Sequence, residues 1–62
     1  MITGQVLRQE RRKLDVNVTT LAQEIGYSRQ HVHRIEKGLV ILTPERIKAY
    51  RDALTRAAVS KG

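Results

Sequence analysis

Gly26 and Gly38 bracket a short polar segment, and that punctuation leaves the centre of this chain few ways to fold. Residues 21–38 read LAQEIGYSRQHVHRIEKG, with apolar side chains at Leu21, Ile25, Tyr27, Val32 and Ile35. The spacing predicts two short helices joined at Gly26, where a left-handed residue ends the first with little steric strain. Ser28 offers an oxygen to the free amides of the second helix, which is expected to run to Lys37 and stop at Gly38. Two helices crossing steeply over so short a turn must come close together, and Ala22 is small at the contact. Val32 and Ile35 then face inward while the polar and basic residues of the second helix face out.

The flanks supply two more helices. Ile2 to Lys13 is predicted as the first, with Thr3 as its cap and Val6, Leu7 and Leu14 on one face. Its run of cations, Arg8 to Lys13, falls in the last turns, where positive charge opposes the helix dipole. Asp15-Val16-Asn17 breaks the pattern, and Asn17 caps a helix over Val18 to Ile25. After the apolar run Leu39-Val40-Ile41-Leu42, Thr43-Pro44-Glu45 is a strong start signal. The last helix keeps Ile47, Tyr50, Leu54 and Ala57 or Ala58 on one face and is expected to fray near Ser60-Lys61-Gly62. With no repeat or linker in view, the expectation is an all-α, compact four-helix domain spanning residues 1–62.

Composition narrows the chemistry. Twelve Lys and Arg against six Asp and Glu give the 62-residue chain a net charge of +6. A small basic domain has nucleic acid as its foremost partner, with an acidic membrane surface and plain solubility as weaker explanations. Cysteine is absent, which excludes disulfides and thiolate zinc sites. His31 and His33 are two apart, not on one helix face, so no metal is expected. No constellation of acids, bases and nucleophiles stands out, so neither catalytic residues, a cofactor nor a small-molecule ligand is expected. No segment approaches the roughly 20 apolar residues of a membrane span, and the start lacks a signal peptide. The expectation is a cytoplasmic protein of a prokaryotic or phage-infected cell, associated with DNA.

At Leu21-Ala22, Gly26-Tyr27-Ser28, Val32 and Ile35-Glu36-Lys37-Gly38 the chain resembles the phage repressor and Cro (XRE-like) family of helix-turn-helix proteins. The resemblance reaches the first helix, where Arg11 stands where many members carry an Arg that pairs with the Glu at position 36. It implies a lambda repressor-like fold whose third helix enters the major groove of double-stranded DNA by its N-terminal half. Base readout then falls to Arg29, Gln30 and Arg34, with His33 alongside, because Arg matches guanine and Gln matches adenine bidentately. Asn17, Thr19, Ser28, His31, Lys37 and Arg8 are the candidates for phosphate contact. Arg11 and Glu36 are expected as a structural ion pair, since a buried unpaired carboxylate costs several kcal/mol, of order 3–5.

Three departures from the family pattern matter. Val18 replaces the usual Gln after the second helix's cap, so the family's phosphate clamp is missing unless Thr19 or Thr20 substitutes. Glu10 stands where many relatives are apolar. The run Leu39, Val40, Ile41 and Leu42 replaces a polar link and is expected to form a dimer contact, with Val40 and Leu42 stapling the last helix as the simpler reading. The function so implied is a sequence-specific transcriptional regulator. Its expected form is a homodimeric, self-regulating repressor of phage or mobile-element type on an inverted-repeat operator. An antitoxin-type DNA-binding module and a basic adaptor for RNA or protein are the alternatives, and fold alone does not separate them.

Overall fold

In a computed structural model the chain is described over residues 2–61, with side chains through residue 59. Four helices follow in order: α1 Gly4–Lys13, α2 Val18–Ile25, α3 Arg29–Glu36 and α4 Pro44–Lys61. Side-chain caps open all of them. Thr3 Oγ1 accepts from the Val6 amide, Asn17 Oδ1 from Thr20, Ser28 Oγ from His31 and Thr43 Oγ1 from Arg46. The first helix therefore begins at Gly4 rather than Ile2, because Thr3 is spent as the cap. The third ends at Glu36, with Lys37 as its cap residue.

The first three helices close alike. Asp15, Gly26 and Gly38 each take a left-handed backbone, with φ of 57°, 81° and 80°. The next residue's amide then reaches five residues back: Val16 to Arg11, Tyr27 to Ala22 and Leu39 to Arg34. At Asp15 this sharp exit overturns an expectation. Leu14 does not join Val6 and Leu7 but caps the helix at 47% exposure, and Val16, past the turn, enters the core instead.

Leu7, Val16, Leu21, Ala22, Val32, Ile35, Tyr50, Ala53, Leu54 and Ala57 form the core. The last helix contributes Ala57 to it, with Ala58 only half-buried, and its backbone continues through Lys61, while Gly62 lies outside the described residues. α4 packs across α1 and α2, and α3 packs against α1 and α2. Between α3 and α4 no Cα atoms approach within 8 Å among the described residues. Tyr27 is not a core residue as its spacing implied; it stands 37% exposed beyond the turn.

Gly4 is the tightest point of the assembly. A Cβ there would collide with the backbone carbonyl oxygen of Ile35 and lie 2.9 Å from that of Glu36. The missing side chain lets the start of α1 sit directly on the end of α3. The linker after α3 is also fixed: Arg46 Nη1 donates to the Ile41 carbonyl at 2.6 Å, and Val40 and Leu42 pack against the core. Val40 and Leu42 are half-buried there, the arrangement in which they staple the last helix. Leu39 and Ile41 point out, 71% and 81% exposed.

Candidate DNA interface

The orientation of α3 comes from its inner face. Val32 and Ile35 are buried, and Glu36 is turned in toward α1. Arg11 Nε donates to Glu36 Oε2 at 2.8 Å, Arg11 Nη2 donates to Oε1 at 3.1 Å, and Arg11 Nη1 donates to the Val16 carbonyl at 2.9 Å. The hydrogen bond to Glu36 raises the guanidinium pKa further above its already high value, outweighing the opposing effect of burial. From α4, Tyr50 Oη donates to Glu36 Oε2 at 2.7 Å. One chain of polar contacts thus ties α4, α3, α1 and the approach to α2, and leaves no buried side-chain polar atom without a partner among the described residues.

With its inner face fixed, α3 presents its other side to solvent. Ser28, Arg29, Gln30, His33 and Lys37 line one open, shallow concavity. A second links this surface to α1, where His33 and Lys37 meet Arg8 above Arg11 and Glu36. A third carries it past Lys37 to Gln5 and Thr3. Arg29, His33 and Lys37 succeed one another at four-residue steps with Gln30 beside the first, and Arg8 joins them from the neighbouring helix. Arg34 is exposed but lines none of these surfaces. Asn17 and Thr19 are exposed at the start of α2 and do not line the α3 concavity, and the Asn17 side-chain oxygen is engaged by the Thr20 amide. His31 is half-buried, its ring edge-on to Tyr27 with centroids 4.4 Å apart.

Three polar features escaped the sequence reading. Glu10 binds Arg51 of α4 through two hydrogen bonds, at 3.1 and 2.7 Å, which accounts for an acid where relatives are apolar. Glu24 pairs with Arg56 at 3.5 Å, so α2 and α4 are joined as well. Tyr50 is a core residue by spacing, which says nothing of its hydroxyl. Its hydroxyl could have been sought, since a buried phenol needs a partner and Glu36 has more acceptor capacity than one Arg fills.

A short helix held crosswise by a glycine turn, with a cationic outer face and a buried ion pair beneath it, defines a helix-turn-helix DNA-binding protein. The family model described as helix-turn-helix matches residues 7–59, and the chain belongs to that family, in its Cro and repressor-type (XRE) branch. It is accordingly a DNA-binding transcriptional regulator of the XRE type whose partner is double-stranded DNA. Comparison with curated proteins and with solved structures returned no match. Among the described residues no helix is long and apolar enough to cross a membrane, and no three His, Cys, Asp or Glu are grouped to hold a metal.

Proposed function

We propose that the protein is a homodimeric repressor of phage or mobile-element type that recognises an inverted-repeat operator and controls its own gene. The observation that carries this reading is the exposed row Arg29, Gln30, His33 and Lys37 along one side of a helix whose other side is locked into the core. Arg29 and Gln30, at the tip that enters the groove, read base edges, and Arg34 reads one turn later. His33 sits between them and Lys37. Lys37 and Arg8 neutralise phosphates on the strand beside the groove and Ser28 contacts one, with His31, Asn17 and Thr19 at its margins. The RNA alternative is weaker, because Tyr50 is buried and the Tyr27 ring is engaged with His31, leaving little for base stacking.

Selection from randomised duplexes tests this reading directly. The expected product is an inverted repeat of short half-sites. Arg29→Ala or Gln30→Ala should weaken that site by about 1–3 kcal/mol and relax preference at particular base pairs. A pool that returns no enriched sequence overturns sequence-specific regulation, and an enriched single half-site overturns the two-fold operator.

A further inference from the structure

Glu36 occupies a charged border. It lines the same cleft as Arg8, Arg11 and Lys37, so cations surround it both within the core and on the DNA side. Turned outward, its carboxylate would pair with Lys37 or Arg8 and place a negative charge toward phosphate. In the structure it is turned inward, its side chain 3% exposed. Arg11 supplies two of the donors that hold it there, and Tyr50 supplies the third.

Tyr50 has one hydroxyl proton and two acceptors within reach. Glu36 Oε2 lies at 2.7 Å and the Leu7 carbonyl at 3.2 Å. The shorter contact, to a charged oxygen, takes the proton. Burial raises the phenol's pKa well above the ordinary tyrosine value, which keeps that proton in place. The link is also the only hydrogen bond between α3 and α4 among the described residues, whose backbones stay apart.

We propose that Tyr50 is a positioning residue for DNA binding: its hydroxyl completes, with the two Arg11 donors, the set that holds the Glu36 carboxylate inward and so leaves Lys37 and Arg8 free for the phosphate backbone. The inference rests on the phosphate face proposed above. It assigns α4 a part in DNA binding without any contact to DNA.

Tyr50→Phe keeps the buried ring and removes only the hydroxyl. Binding of the variant to a duplex should be measured across a salt series, beside Lys37→Ala, Arg8→Ala and the Arg8→Ala/Lys37→Ala pair. The expected result is an affinity loss of about tenfold at low salt, with a slope of log affinity against log salt shallower by about one phosphate. In the Arg8→Ala/Lys37→Ala background the same change should have little further effect, because the cations Glu36 would capture are gone. A folded Tyr50→Phe with the wild-type slope overturns the proposal, as does a loss that only follows its folded fraction. If Lys37→Ala and Arg8→Ala themselves leave the slope unchanged, the phosphate face is wrong and the inference falls with it. Should Tyr50→Phe fail to fold, the wild type decides by NMR: a slowly exchanging Tyr50 hydroxyl proton close to Glu36, kept on DNA, supports the proposal, and its absence overturns it.

Discussion

At the scale of single residues, what separates the ion pairs of this protein is water. Arg11 and Glu36 have side chains 11% and 3% exposed, whereas Arg51 and Glu10 are 43% and 34% exposed at a similar distance. Removing one partner from a buried pair strands the other charge and costs about 3–5 kcal/mol, while an exposed pair contributes about 0–1 kcal/mol. Arg11→Met should therefore lower the unfolding free energy by several kcal/mol in a urea titration, and Arg51→Met should barely move it. Tyr50 gives the same contrast in pH. Its folded phenol holds its proton more tightly than the unfolded chain, because of burial first and the bond to Glu36 second. Its contribution to stability is then complete below the ordinary tyrosine value of about 10 and is lost as pH rises beyond it. In a Tyr27→Phe background, the ultraviolet absorbance of phenolate should appear only together with loss of helical circular dichroism. Phenolate forming while helicity is intact would contradict a protected hydroxyl.

Among elements, the governing contact is the seat of α1 on α3. Ala usually stabilises a helix over Gly by about 0.5–1 kcal/mol. Gly4→Ala should reverse that sign, because the added methyl meets the Ile35 carbonyl, which is backbone and cannot swing aside. Overpacking of this kind costs about 1–3 kcal/mol, measurable as a lower denaturation midpoint at unchanged helicity. A variant as stable as wild type would show that the two helices need not touch there. The elements themselves were legible in the sequence because their signals are local: Thr3, Asn17, Ser28 and Thr43 as caps, Gly26 and Gly38 as stops. The errors arose where a signal was tertiary or carried by an uncommon residue. Periodicity put Leu14 in the core because Asp15 is a less usual left-handed residue than glycine, and the turn there exchanges Leu14 for Val16. Glu10 looked anomalous until α4 brought Arg51 to it. Gly4 was unremarkable as a letter, since the carbonyl that excludes its side chain lies more than thirty positions along the chain. On the candidate interface, the outward row of α3 was legible from helical spacing and Ser28. That Arg8 adjoins Lys37 while Arg34 does not line the same surfaces depends on how α1 crosses α3, which spacing does not encode.

For the molecule as a whole, size and charge pull in opposite directions. Its longest dimension is 30 Å, so one copy offers one recognition helix to one stretch of major groove. Successive major-groove faces on one side of B-DNA recur about every 34 Å, a separation that two copies side by side can match. Each copy carries +6, however, and like charges resist pairing until DNA neutralises them. The proposed dimer needs an apolar contact to offset that repulsion, and the exposed side chains of the linker after α3 are the candidate. The linker backbone is fixed by the Leu39 amide on the Arg34 carbonyl and by Arg46 on the Ile41 carbonyl. Val40 and Leu42 anchor it from within, so Leu39 and Ile41 are held outward at little loss of conformational freedom on association. Ile41→Glu should thus leave helicity and unfolding almost unchanged, since the side chain is already in water. Its effect should be seen in assembly: sedimentation should give a monomer, and binding to the inverted repeat should weaken and lose cooperativity while binding to an isolated half-site persists. Because DNA screens the charge, the wild-type dimer should be more evident on the operator than in free solution, and more evident at moderate than at low salt. A wild type that sediments as a monomer both free and on its operator would remove the loop from the interface. The two-fold site would then have to come from independent occupancy of its halves.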